Sequence, residues 1–271
     1  MIIINGKELR IEHTSPSRIF SFCPFHKDRN RPNFEISLVE PFRGKYYCWS
    51  CGASGEIDGS LLPEARSREK ESPDFDELHL KYTEYPYVET MRNKLACLWE
   101  VGDQRLNEYE IGWDGKAWTA PMRLDGKIVG IQRRLISGDK WCISGSKLGF
   151  FLPREWDVDQ SRLVVCEGLS DAVSVSNLNI SGGCVVIGRP NCRSLVRQTA
   201  DFIYQCRQFE RVLIVADTGP EELEGASRLQ VHLAKTVPTK IYLPSSKDIR
   251  LEIKMEGKLD VRQSLGNALC F

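Results

Sequence analysis

The sequence has no long apolar run. Over its 271 residues the longest stretch without a charged side chain, Ala172 to Gly188, is broken by Ser, Asn and Gly, which excludes it as a membrane span. The opening Met1-Ile-Ile-Ile-Asn-Gly-Lys7 holds too few apolar residues for a secretory signal. A cytoplasmic protein with no membrane partner is expected. Charge of one sign is also missing: 37 basic side chains balance 37 acidic ones, so any nucleic acid must be held by a local patch rather than by overall charge. There is no internal repeat, no low-complexity tract and no phosphate-binding loop of the Gly-x4-Gly-Lys-Ser/Thr type, and an NTP-driven motor is therefore not encoded.

What the chain does have is enough length for about two domains and the composition of a globular protein, 41% apolar and 27% charged. Residues 1–59 are dense in Cys, aromatics and turn residues but poor in periodic apolar sequence, so this segment needs something other than a core to hold it. Residues 60–78 are charged and broken by two prolines, as a solvated linker is. In residues 79–160, runs such as Trp118-Thr-Ala-Pro-Met-Arg-Leu124 and Lys127-Ile-Val-Gly-Ile-Gln-Arg133 meet at Asp-Gly turns, which predicts a mixed α+β segment with hairpins. In residues 161–250, four continuous apolar runs alternate with helical periods: Leu163 to Cys166, Cys184 to Ile187, Val212 to Ala216 and Lys240 to Leu243. This pattern predicts an α/β unit around a parallel sheet. Residues 251–271 read as a C-terminal tail.

Ten cysteines in a cytoplasmic chain point to metal ligation or buried packing rather than disulfides. Cys23-Pro-Phe-His26 and Cys48-Trp-Ser-Cys51 are two ligand pairs with two-residue gaps, 21 residues apart. Two tight turns of this kind complete a tetrahedron of three thiolates and one imidazole around a structural zinc. The other seven cysteines, Cys97, Cys142, Cys166, Cys184, Cys192, Cys206 and Cys270, have no such pairing and read as core. Around the metal pairs lie Lys27, Arg29, Arg31, Arg43 and Lys45, interleaved with Phe25, Phe34, Tyr46, Tyr47 and Trp49. Cations with exposed aromatic faces hold a single strand by charge and base stacking. The alternative is that the aromatics cover the zinc knuckles and the cations are a solvated face.

Ligands of an open parallel sheet bind where strands end and helices begin. Glu167 directly follows Leu163 to Cys166, Asp171 lies four residues on, and Asp217 directly follows Val212 to Ala216. Carboxylates at neighbouring strand ends suit Mg²⁺ or Mn²⁺ and metal-assisted phosphoryl transfer, although Asp171 alone could be a helix cap. Residues 116–154 add Lys116, Arg123, Lys127, Arg133, Arg134, Lys140, Lys147 and Arg154 against Asp125 and Asp139, a local charge of +6. Such a stripe fits the phosphates of a template strand or a nucleotide, or is solubilising surface.

These residues resemble a known family. Cys-Pro-Phe-His26, Arg31-Pro-Asn-Phe34 and Tyr47-Cys-Trp-Ser-Cys-Gly-Ala-Ser-Gly55 closely resemble the zinc-binding domain of bacterial DnaG-type and phage DNA primases. Cys166-Glu-Gly-Leu-Ser-Asp-Ala172 resembles the first motif of the TOPRIM fold, and Lys247-Asp248 the Lys-Asp after its last strand. Ile128-Val-Gly-Ile-Gln-Arg-Arg134 and Ser146-Lys-Leu-Gly-Phe150 are similar to the basic subdomain that precedes TOPRIM in primases. The resemblance implies an N-terminal zinc ribbon that binds DNA, a basic subdomain and a TOPRIM α/β subdomain. It implies primer synthesis by a DNA-dependent RNA polymerase during replication, with single-stranded DNA, ribonucleoside triphosphates and a separate replicative helicase as partners. Glu167, Asp217 and Asp171 then carry catalysis, while Arg123, Lys127, Arg133, Arg134, Lys140, Lys147, Lys247, Asp248 and Trp49 hold nucleotide or template.

The sequence departs from that family at one place. The second TOPRIM motif is Asp-x-Asp followed shortly by Gly, whereas Asp217-Thr-Gly-Pro-Glu-Glu-Leu-Glu-Gly225 has Gly219 where the second Asp stands. If Gly225 is the motif glycine, the loop is about three residues longer and Glu222 falls in the missing acid's register, with Glu221 and Glu224 as alternatives. Two rival functions follow: a TOPRIM enzyme of another kind, such as a nuclease, and a single-strand-binding protein whose catalytic centre has decayed.

Overall fold

The computed structural model describes residues 2–15, 17–27, 32–64, 72–156, 159–192, 194–206 and 208–270. The chain divides into two compact units, Met1–Lys70 and Glu71–Phe271.

In the first unit, β1 (Ile3–Ile4) and β2 (Lys7–Glu8) form a hairpin. β3 (Ile11–Thr14), β4 (Arg18–Ser21), β5 (Phe34–Ser37), β6 (Lys45–Cys48) and β7 (Ser54–Glu56) form an antiparallel sheet in sequence order. Alternation along β5 buries Phe34 and Ile36 and leaves Glu35 and Ser37 half-exposed, as a strand with one covered face must. Contrary to the sequence reading, the unit has a small core of its own, where Ile2, Ile4, Leu9, Ile19, Phe34, Ile36, Leu38 and Leu62 pack with Cys23 and Cys48. The apolar residues are spread over many two- to four-residue strands, too short for a periodic signal.

The second unit opens with α1 (Phe75–Thr83), α2 (Val88–Trp99) and α3 (Asp103–Glu108). α1 starts inside the stretch read as linker. Asp74 caps it by accepting from the backbone N–H groups of Asp76 and Glu77, and the buried Phe75 and His79 anchor it. β8 (Gly112–Trp113), β9 (Trp118–Leu124), β10 (Lys127–Arg134) and β11 (Lys140–Cys142) form an antiparallel sheet in the order β11-β10-β9-β8. The β9–β10 hairpin closes through Asp125 and Gly126, both at positive φ, where this dipeptide favours a tight turn.

The remainder alternates strand and helix: β12 (Arg162–Glu167), α4 (Leu169–Ser176), β13 (Val185–Arg189), α5 (Val196–Cys206), β14 (Arg211–Val215), α6 (Pro220–Leu233) and β15 (Thr239–Tyr242). All pairings in this sheet are parallel, in the order β13-β12-β14-β15. The two central strands are buried over most of their length, because helices cover both faces. Residues 251–271 are not a tail. α7 (Ile249–Glu256) and α8 (Lys258–Leu269) follow β15, and Val261, Leu265 and Leu269, spaced four apart, are fully buried in the core beneath the sheet. Among the described residues no helix is long and apolar enough to cross a membrane.

Leu265 tests this correction. Leu265→Ala should destabilise the second unit by about 2–5 kcal/mol in denaturant unfolding, whereas Leu259→Ala, at a 77% exposed position on the same helix, should stay within about 0.5 kcal/mol of native.

Candidate metal centres and acidic site

Cys23 and His26 lie in the turn after β4, and Cys48 ends β6 with Cys51 in the turn beyond it. One ligand atom from each of the four falls within 4.8 Å of all the others. The Cys23 and Cys51 sulfurs are 3.8 Å apart, and Cys48 Sγ is 4.0 Å from His26 Nδ1. A tetrahedral ion with Zn–S bonds of about 2.3 Å needs S–S edges of about 3.8 Å, so the donor set fits zinc. With four protein ligands the site is closed and structural.

The aromatics around it divide. Phe34 is fully buried and lies tilted 5.1 Å from Tyr46, on which Phe25 stacks at 5.9 Å, so these three cover the knuckles. Tyr47 and Trp49 form an exposed edge-to-face pair at 5.0 Å, with Trp49 68% exposed. Lys27 and Lys45 are exposed. Arg43 is not a free surface cation: its guanidinium donates to the carbonyls of Leu38, Gly59, Leu62 and Pro63 and ties the end of the unit to its sheet. Arg29 and Arg31 lie outside the described residues.

In the second unit, β12 and β14 are neighbours, with Cys166 in register with Val215, so Glu167 and Asp217 emerge side by side where the two strands end. Gly168, at φ 94°, turns the chain from β12 into α4 in a conformation that a side chain would strain. Gly168 is also the N-cap of α4, so Asp171 is not the cap. It is a buried carboxylate, ion-paired to Arg250 Nε at 2.7 Å. Asp248 caps α7 by accepting from the N–H of Leu251. The carbonyl of Lys247 accepts from both the N–H and the hydroxyl of Thr218 at 3.2 Å, which joins Lys247 and Asp248 to the Asp217 turn.

The expected longer loop after Asp217 is instead the first turn of α6, with Gly219 as N-cap and Pro220 at the first helical position. A Cβ built at Gly219 would collide with the Glu222 carboxylate. The space next to Asp217 that a residue-219 side chain would occupy is thus held by Glu222. Glu221 and Glu224 are exposed, and Glu224 pairs with Arg228 on the same helix.

Burial raises the pKa of Glu167, and the charges of Asp217 and Glu222 add to it. Burial likewise raises Asp217, with Asp248 and Glu222 adding. Burial pushes Asp171 up to about 7 even though Arg250 opposes it. Glu167, Asp171, Asp217, Glu222 and Asp248 therefore form one repelling cluster that a divalent cation would relieve.

Three arginines and one cysteine of this region were not legible in the sequence as a group. Arg250 pairs with Asp171. Arg189, 2% exposed, lies opposite Glu167 in the β12–β13 ladder. Arg134, half-buried, sits 5.4 Å over the Trp99 ring and feels both Arg250 and Asp171. Cys192, read as core, is buried but places its sulfur with Glu167 and Glu222 in a set of donors all within 4.8 Å of one another. Cys97 and Cys270 are exposed rather than core.

The basic stripe is weaker than its local count. Arg123 is paired with Glu110 at 2.6 Å and Arg133 with Asp114 at 2.5 Å, two acids just outside the 116–154 window. Burial would raise Glu110, but the hydrogen bonds of His79 and Arg123 overcome it and hold the carboxyl at about 2. Arg133 also stacks 4.9 Å over Trp141. Lys127, Lys140 and Lys147 remain exposed on the antiparallel sheet and its edge. A cavity of about 270 Å³, lined by Trp99, Ser174, Lys254 and Lys258 among others, meets the acidic cluster at Asp248 and Arg250.

Residues 3–62 match the CHC2 zinc finger family. The DNA primase of Deinococcus radiodurans is 22% identical over 147 residues, which cover 44% of this chain and 24% of that protein; the chain thus spans about a quarter of the curated relative it matches. The primase fragment of the bacteriophage T7 primase-helicase protein is similar in structure at a TM-score of 0.50 and 17% identity, over 86% of this chain and 93% of that fragment. The chain is therefore similar to DNA primases in its zinc ribbon and in its fold.

Each centre yields a prediction. Cys48→Ser or Cys51→Ser should lower the zinc content by one ion per chain in elemental analysis. Because ligation in such small modules supplies roughly 10 kcal/mol, chelation should unfold the first unit, seen as lost hydrogen-exchange protection of the paired backbone amides of β4, β5 and β6, and leave the thermal transition of the second in place.

Burial raises the carboxylates in the folded state, Asp171 from its ordinary 3.8 to about 7. Ionisation therefore favours the unfolded chain as pH rises through that window, and stability is lost upward in pH. Mg²⁺ should raise the thermal midpoint of the second unit by several degrees at pH 8 and by much less at pH 5, where protons occupy the cluster.

Proposed function

We propose that this chain is a DNA primase, a DNA-dependent RNA polymerase that makes short primers on single-stranded DNA. The observation that carries the reading is the union, in one chain, of a Cys₃His zinc ribbon with a parallel sheet at whose adjacent strand ends Glu167, Asp217 and Glu222 converge. The zinc-finger match and the primase-like fold support it.

In this reading Glu167, Asp217 and Glu222 hold Mg²⁺ or Mn²⁺, with Glu167 also placed to accept the proton of an attacking 3′-hydroxyl. A divalent cation bound there supplies charge neutralisation for a triphosphate. Asp171 orients Arg250 through their ion pair, and Arg250, with Lys247 and Arg134 close by, offers guanidinium and ammonium donors to phosphate oxygens. The adjoining cavity has room for part of a ribonucleotide. Lys127, Lys140 and Lys147 fit the phosphates of the template, with Arg123 and Arg133 contributing less because their charges are already paired. Trp49 offers an exposed face to a template base. A separate helicase opens the duplex. Glu222 takes the part of the acid missing at position 219.

The deciding experiment is incorporation of labelled ribonucleotides on a panel of single-stranded templates with Mg²⁺ or Mn²⁺. Asp217→Asn and Glu222→Gln should each lower turnover by about 100-fold or more, as loss of one electrostatic contact to a transition state does, while zinc content and template binding survive. If Glu222→Gln is silent, the site runs on Glu167, Asp171 and Asp217. If the native protein makes no primers at any metal concentration, the decayed single-strand binder replaces the enzyme.

A further inference from the structure

The carboxylate site contains a sulfur that its chemistry does not require. Cys192 lies on the loop after β13, 8% exposed, and its sulfur shares a 4.8 Å set of ligand atoms with Glu167 and Glu222. The loop is fixed from two sides. The backbone N–H of Cys192 donates to the Glu167 carboxylate. On the other side, Gly225 of α6 packs so closely that a Cβ there would meet the Cys192 carbonyl at 2.6 Å and its Cβ at 2.9 Å. Glu222 is three residues from Gly225 and shares its helix face, so the same glycine that admits the loop brings Glu222 to the thiol.

A second observation points to a ligand. Arg189 is 2% exposed and feels both Glu167 and Cys192. One of its Nη atoms donates to the carbonyl of Ser194 at 3.2 Å, but its Nε has no hydrogen-bond partner among the described residues. A buried guanidinium donor left without a hydrogen bond next to Glu167 and Cys192 fits an oxygen carried by an ion in that space, from water or phosphate.

We propose that Glu167, Cys192 and Glu222 form a mixed carboxylate–thiolate site that takes a borderline-soft divalent cation of the zinc and cobalt class in preference to Mg²⁺. Mg²⁺ seeks an all-oxygen octahedron, whereas thiolate and carboxylate together suit zinc and cobalt. The site would then bind such ions where the proposed primase reaction needs Mg²⁺ or Mn²⁺, and trace zinc would compete with the activating metal. This inference deepens the primase reading by naming the metal selectivity of its acidic site, and it rests on that reading only for its consequence in catalysis.

The test is a titration of the zinc-loaded full chain with Co²⁺, followed in the near-ultraviolet, where a cobalt–thiolate bond absorbs. One further equivalent should bind with that band while the zinc content stays at one ion per chain. Cys192→Ser should abolish the band and weaken Co²⁺ at least tenfold, with Mg²⁺ affinity, read by competition, changed less than twofold. Glu222→Gln should weaken both ions. A native protein that binds Co²⁺ without the band, or a band that survives Cys192→Ser, overturns the proposal, and the first of these needs no variant to fold. Primer synthesis is scored separately: primers without the band refute the mixed site and leave the primase reading, and the band without primers does the reverse.

Discussion

Mutual repulsion among carboxylates at one edge of a parallel sheet is the constraint around which the second unit is arranged. Adjacent strands lie about 4.8 Å apart, so Glu167 at the end of β12 and Asp217 just beyond β14 are forced together and half-buried. The fold answers with positive charge from several directions. α4, α6 and α7 all begin at this edge, and the N-terminal end of each helix dipole favours nearby negative charge. Arg250 is drawn onto Asp171, Arg189 stands opposite Glu167, and Lys247 flanks Asp217. Even so the acids remain raised by burial and by one another, and carboxylates held in this way mark a candidate functional site.

Gly219 leaves space beside Asp217 that, in the primase reading, an acid's side chain would take. Without a side chain there, α6 can start immediately after the Asp217 turn, and its first turn swings Glu222 into the vacated volume. The carboxylate is supplied from a helix rather than from a loop. That choice ties its position to the packing of α6, whose Ala226, Leu229 and Leu233 are fully buried against the sheet. The same packing brings the Cys192 loop into contact at Gly225. The glycine at 219 is therefore linked, through the first turn of α6, to a thiol more than two dozen positions earlier in the chain.

The first unit solves a different problem. Its strands are two to four residues long, and a unit of that size is only marginally stable on packing alone. Zinc ligation joins the turn after β4 to the end of β6, and Arg43 closes the far end of the unit by four hydrogen bonds to carbonyls. Spending an arginine on backbone carbonyls removes it from the pool of surface cations, as the ion pairs of Arg123 and Arg133 do in the second unit. Of the cations proposed to meet nucleic acid, Lys27 and Lys45 in one unit and Lys127, Lys140 and Lys147 in the other stay exposed, as does Arg154 of the stripe.

Spacing and periodicity alone determine the zinc ligand set, the four parallel strands and the placement of Glu167 and Asp217 at strand ends. Each is a short-range property: a two-residue gap sets a turn, and a continuous apolar run followed by an acid sets a strand and its exit. The buried face of α8 was equally legible in the spacing of Val261, Leu265 and Leu269, yet it reads as a tail when its surroundings are polar. Local charge counts failed for Arg123 and Arg133, because their partners Glu110 and Asp114 lie on other elements. Asp171 read as a possible cap because the Gly168 turn that starts α4 one residue after β12 has no signature in residue type. Cys192, Arg189 and Arg250 belong to the acidic site only through the strand order β13-β12-β14-β15 and the close approach at Gly225. Those contacts join residues dozens of positions apart, and only the packing of helices against the sheet decides which of them meet.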